Sequence, residues 1–314
     1  MRVVPHTIAQ HTLLHRRRAS VPIAGNACAI VIIVIVGIAL SGCTRGVAEF
    51  QAYVQASDAQ FRQGTEVLDR MAVAERIVAG RLLARRSPLS FDPSNARYYT
   101  DVGDPPLTMS FRASLQSIKA YNDAVAALAN GEAAAALSNR LVSISTNLEA
   151  AGTAMASANS QGALGATATA FLGQGSAAVA IALPVFRQIA TLAGRETFRR
   201  QLVVGFPAMR DLLLALRNAT PAMYDVMSRS YREPGSTMSG SGLSQQNLID
   251  LGRDRRALAG WVILLDQTVL AMDAAAASAA SGSGTADVAA LAEASVEIRI
   301  LAEQIKANQN RVSP

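Results

Sequence analysis

Histidine and cysteine are almost missing from this 314-residue chain. The histidines are His6, His11 and His15 and the cysteines are Cys28 and Cys43, so nothing beyond residue 43 carries either side chain. In that long remainder no zinc site built on His or Cys can form. A Ser-His-Asp triad and a Cys nucleophile are excluded as well, as are covalent haem attachment and an internal disulfide. Carboxylate, Tyr, Ser and Arg chemistry stays open, but no spacing of those residues announces a catalytic site, a metal centre or a cofactor. Aromatics are sparse, and Trp261 is the single tryptophan. Beyond residue 43 no run alternates β-branched with polar residues, while Ala, Leu and Val dominate. That combination predicts an all-α fold.

Charge is missing from Val21 to Leu40, and no acidic residue precedes Cys43. Arg2, Arg16, Arg17 and Arg18 lie ahead of the apolar run. A basic segment followed by an apolar one is the layout of an export signal, and by length the run could equally be an uncut anchor. The next residues separate the two. Leu40, Ser41, Gly42 and Cys43 resemble the lipobox of bacterial lipoproteins, a hydrophobic residue and two small ones ahead of an obligatory cysteine. The resemblance implies a diacylglyceryl group on the Cys43 thiol, cleavage between Gly42 and Cys43, and removal of residues 1–42 as a signal peptide. Palmitate-type acyl chains on Cys43 would then tether the protein to a membrane, since several chains on one residue anchor far more firmly than one. Thr44 follows the cysteine where an Asp would imply inner-membrane retention. In a Gram-negative cell this implies the outer membrane, facing the periplasm. The resemblance extends only to Arg45 and implies an address in the cell envelope, not an activity.

Removing the signal also changes the charge balance. Of 29 basic residues four precede Cys43, leaving 25 against 23 acidic ones, a formal +2. No basic stripe remains to neutralise phosphates, so nucleic acid is not an expected partner.

The remaining chain reads as an elongated antiparallel helical bundle with long heptad-patterned helices. Phe50, Val54, Ser57, Phe61, Gly64, Leu68, Met71, Glu75, Val78 and Leu82 follow alternating steps of three and four, the spacing of a helical seam. Ser87 to Leu107 holds four prolines and is expected to be an irregular loop 87–107. Its Phe91, Tyr98 and Tyr99 call for something to pack on, and its Asp92, Asp101 and Asp104 are candidate ligands for a hard cation or another small ligand, though without EF-hand spacing. A second helix is expected from Thr108, as N-cap, to Ala129, stopped by Asn130-Gly131. A third carries Leu137, Leu141, Ile144, Leu148, Ala151 and Met155 in the same rhythm.

No charge occurs from Ala150 to Phe186. A helix 163–183 is expected there, with Gly165, Thr169, Gly173 and Ala177 in the small-xxx-small spacing that lets helices approach closely. Pro184, Pro207 and Pro221 predict four shorter helices, around Pro184–Ala193, Arg195–Val204, Ala208–Asn218 and Pro221–Arg232, with Thr220 as the N-cap of the last. Residues 43–232 are thus expected to form the bundle, 233–242 a flexible linker by composition, and 243–314 a helical hairpin packed on the same bundle. In that hairpin Leu248, Leu251, Arg255, Leu258, Val262, Leu265, Val269 and Met272 form the seam, with Arg255 its charged intruder and Trp261 on its flank. The function expected is non-enzymatic: a lipid-anchored envelope protein acting as a spacer or scaffold, or binding an envelope protein on an exposed helix face or at the aromatic loop. The alternatives are a membrane-active, pore-forming-like bundle using helix 163–183, and a small-ligand or cation binder using loop 87–107.

Overall fold

The structure is a computed structural model that describes residues 26–86, 89–160, 165–190, 195–232, 243–281 and 285–311. The chain divides into two compact units, Met1–Thr44 and Arg45–Pro314. The first is helical from Asn26 onward. The side-chain surroundings of Leu40, Ser41, Gly42 and Cys43 lie outside the described residues, as does the whole of segment 233–242.

In order, the helices are α1 (Asn26–Arg86), α2 (Pro106–Ala129), α3 (Ala134–Ser160), α4 (Gly165–Ala190), α5 (Arg195–Asn218), α6 (Thr220–Ser230), α7 (Gln245–Ser281) and α8 (Thr285–Arg311), with a 3-10 turn at Pro93–Tyr98. Among the described residues there is no strand, and the fold is an all-α helical bundle. Within the second unit α1 runs from Arg45 to Arg86, about 60 Å at 1.5 Å per residue.

α1 packs against both α2 and α7 and runs antiparallel to each. Tyr53 Oη donates to Asn122 Oδ1 of α2 at 2.7 Å, whereas Glu75, further along α1, meets the start of α2 at Leu107. Gly64 faces Trp261 of α7, and Arg70 faces Asp254, about two turns earlier in α7. α7 and α8 run antiparallel as a hairpin, Gly260 against Ile305 and Gln267 against Glu297. One hydrophobic core joins all these helices, with Trp261, Tyr53, Phe111, Phe186 and Phe198 its largest fully buried side chains.

Local signals act here as expected. The α2 stripe Phe111, Leu115, Ile118, Val125 and Leu128 is buried, and so is every residue of the α3 stripe. Asn130-Gly131 stops α2 in a Schellman motif: Gly131 takes φ +76°, its N–H bonds Leu128 O, and the Glu132 N–H bonds Ala127 O.

Other expectations are corrected. The N-cap of α2 is Pro105, not Thr108; the helix starts earlier because the Glu75 carboxylate of α1 caps its first turn. Pro184 lies inside α4, which joins the expected helix 163–183 to the short one after it, and Pro207 lies inside α5, which joins the next two short helices into one; only the fourth, α6, stands separately. Both prolines sit on exposed faces, where the carbonyl left without its N–H partner can reach water. The N-cap of α6 is Ala219; the Thr220 hydroxyl instead donates back to Arg217 O at 2.7 Å. Gly173 and Ala177 face solvent, with nothing near Gly173 where a Cβ would stand, so among the described residues this part of the small-residue stripe packs on no helix. The α7 seam is rotated. Asp254, Trp261, Leu264 and Thr268 are buried with Leu258 and Leu265, so Trp261 belongs to the seam itself, while Arg255 and Leu248 are exposed. Gln245–Ser278 of α7 is long and apolar enough to cross a membrane, but half of its apolar window is buried against neighbours in the bundle.

Candidate functional site

The loop between α1 and α2 is held at many points. Asp92 opens the 3-10 turn as its N-cap, accepting from Ser94 N at 2.9 Å and from Asn95 Nδ2 at 3.3 Å. Hydrogen bonds from the Ser94 side chain and backbone N–H hold its carboxyl below the ordinary value although it is solvent-exposed. Gly103 takes φ +74°, a conformation that favours glycine, and its carbonyl accepts from Arg76 of α1 at 2.6 Å. Asp101 lies 3.7 Å from the same Arg76. Arg97 donates to Asp104 O at 3.3 Å. Arg112 of α2 joins Asp104, at 2.5 Å, to Asp69 of α1, at 2.7 Å.

Beneath the loop lies Glu75, a residue that appears in the sequence only as a polar interruption of the α1 seam. It is completely buried. Its Oε1 accepts from Leu107 N at 2.9 Å, and its Oε2 accepts from Thr108 N at 2.7 Å and Thr108 Oγ1 at 2.8 Å. A carboxylate at a helix N-terminus is favoured by the exposed amides and the helix dipole. Burial acts against it and dominates, raising the Glu75 carboxyl to about 7, with the nearby Asp104 charge adding to the rise. Tyr98 is the loop's inward anchor, 4% exposed, with its hydroxyl in electrostatic reach of Glu75 but without a well-formed hydrogen bond. Burial and the Glu75 charge push its phenol above the ordinary value.

With Tyr98 directed inward, the other apolar residues of the loop point out. Phe91 is 69% and Tyr99 53% exposed, their rings 6.1 Å apart, with Leu89 (101%) and Val102 (80%) on the same loop. Of the aromatics expected to pack on the bundle, only Tyr98 does so. The three aspartates do not converge: Asp92 caps the turn, Asp101 faces Arg76 and Asp104 faces Arg112. Among the described residues no group of three or more acidic side chains is placed to hold a metal ion. The arrangement sequesters Glu75 from any substrate and offers instead a clamped surface of exposed apolar side chains.

No family model, no characterised protein and no solved structure matches this chain.

Proposed function

We propose that this is a lipid-anchored, non-enzymatic protein of the bacterial cell envelope whose helical bundle presents the 89–104 loop to a protein partner. The observation that carries the reading is the pairing of an exposed apolar surface, Leu89, Phe91, Tyr99 and Val102, with a loop fixed by Arg76, Arg97, Arg112 and buried Tyr98. Side chains held in place before binding lose little entropy on docking, and aromatic anchors carry much of the energy of protein interfaces. The lipobox-like Leu40–Cys43 supports the anchor, and so does the start of the second compact unit at Arg45, just after the expected cleavage point.

The test uses a photo-crosslinking residue at Leu89 in cells, with one at exposed Val142 of α3 as the control. A discrete crosslinked species from position 89 alone, lost when Phe91 and Tyr99 are both replaced by Asp, is expected. Equal crosslinking from both positions, or none, refutes docking at the loop. Independently, the N-terminal peptide isolated from membranes should begin at acylated Cys43, and Cys43→Ala should abolish that species; an uncut N-terminus refutes the lipoprotein reading.

A further inference from the structure

Arg255, which the sequence placed in the α7 seam, is exposed and stands instead at the junction of α5 and α6. These helices are separated by Ala219 alone, and Pro221 at the start of α6 lacks an N–H, so the helical hydrogen-bond ladder is interrupted there. Between this junction and α7 lies a notch of about 420 Å³, within the range of small-molecule sites, roughly 300–1,000 Å³. Its floor and walls are Pro221, Tyr224, Leu258, Ala259 and Val262.

Two arginines stand at this apolar notch, and they differ. Arg217 is neutralised by Asp266 of α7, at 2.8 and 3.4 Å. Arg255 has no carboxylate partner among the described residues. Its guanidinium lies over the Tyr224 ring, 5.3 Å from the centroid, and donates to Tyr224 Oη at 2.7 Å. The ring contact and the hydrogen bond hold the group in place, and the bond to Tyr224 Oη uses one of its five N–H donors, leaving the others for a ligand beside the apolar floor.

We propose that this notch binds a single-chain amphiphile with an anionic head, a carboxylate or a phosphate, its chain lying on Leu258, Ala259 and Val262 and its head against Arg255. A cationic head is disfavoured by the uncompensated charge of Arg255, since Arg217 is already paired with Asp266. A head without charge would leave the Arg255 donors to water and gain nothing from them. The site is separate from the loop, and its occupancy does not depend on what the loop docks.

The test is photolabelling of the full-length protein in lipid nanodiscs with a decanoate carrying a diazirine in its chain, mapped by peptide mass spectrometry. Label is expected within 217–224 and 255–262. Arg255→Gln should reduce it at least fivefold and Arg255→Lys, which keeps the charge but loses the planar fork, should reduce it less. On the wild-type protein decanoate or decyl phosphate should compete and decanol should not; whichever anion competes better identifies the head. Shortening the competitor to octanoate should weaken it by roughly tenfold, from the transfer free energy of two methylenes. Label spread over the surface, full labelling of Arg255→Gln, or competition by decanol equal to that by decanoate would each overturn the proposal. The competition arms need no variant and stand even if a substitution impairs folding.

Discussion

Replacing Gly64 by Ala tests the packing of α1 directly, because two opposed effects of known size meet at that position. Within a helix Ala is favoured over Gly by about 1 kcal/mol, so Gly→Ala should stabilise wherever space allows. At Gly80 of the same helix nothing lies within 4 Å of the added Cβ, and Gly80→Ala should raise stability by about 0.5–1 kcal/mol. At Gly64 the Cβ would stand 2.1 Å from Cζ3 of Trp261 and 2.8 Å from Cδ2 of Leu115. Trp261 is only 1% exposed, and its ring cannot turn aside as the end of a flexible side chain would. Overpacking of this kind costs about 1–3 kcal/mol, and a rigid ring in a filled core belongs at the upper end. The clash therefore wins, and Gly64→Ala should destabilise by about 2 kcal/mol net. Urea unfolding followed by circular dichroism measures both variants, and thermal midpoints should move in opposite directions by about 2 °C per kcal/mol. A double-mutant cycle with Trp261→Leu should recover much of the Gly64→Ala loss, since the clashing ring is gone. If Gly64→Ala stabilises as much as Gly80→Ala, the contact between α1 and α7 described above is wrong.

Glu75 predicts a pH dependence. Its carboxyl rises from 4.5 to about 7 on folding, so the contribution is fully present below pH 4.5 and disappears as pH climbs through 7. At 1.36 kcal/mol per unit it amounts to about 3 kcal/mol. Glu75→Gln carries no titrating group, and the cost of placing its amide N–H2 against a donor is the same at every pH, so the stability difference between wild type and variant should shift by that amount between pH 4.5 and 8; a flat difference in urea unfolding would sink the assignment. Arg112→Met removes the bridge from Asp104 to Asp69, and proteolytic cleavage of loop 89–104 should accelerate several-fold with global stability reduced by about 1 kcal/mol; unchanged cleavage would mean the bridge does not hold the loop. Tyr53→Phe leaves buried Asn122 Oδ1 without its donor and should cost about 1–3 kcal/mol, read by thermal unfolding, whereas a neutral effect would show that water replaces the hydroxyl.

Several parts of this architecture are legible in the residues alone. Steps of three and four mark the buried stripes of α2 and α3 because helix geometry repeats within the span of two turns. Asn130-Gly131 marks the end of α2 because a positive φ and two backbone bonds are settled by neighbouring residues. The loop between α1 and α2 is visible from its prolines. The lipobox-like residues, too, are a matter of adjacent positions.

Tertiary structure decides what lies beyond such short ranges. Glu75 reads as a flaw in a seam until α2 brings Leu107 and Thr108, more than thirty residues away in sequence, onto its carboxylate. Pro184 and Pro207 read as breaks, but sit on solvent faces of helices whose other sides are packed. The α7 stripe is apolar over a wide arc, so periodicity leaves its phase open; Trp261 filling the space beside Gly64 sets it and turns Arg255 outward onto Tyr224. Helix formation and capping depend on bonds between residues a few positions apart, so sequence determines them locally. Which face is buried, and which polar group finds a partner, depends on the helices that meet it, and those contacts exist only once the bundle has closed.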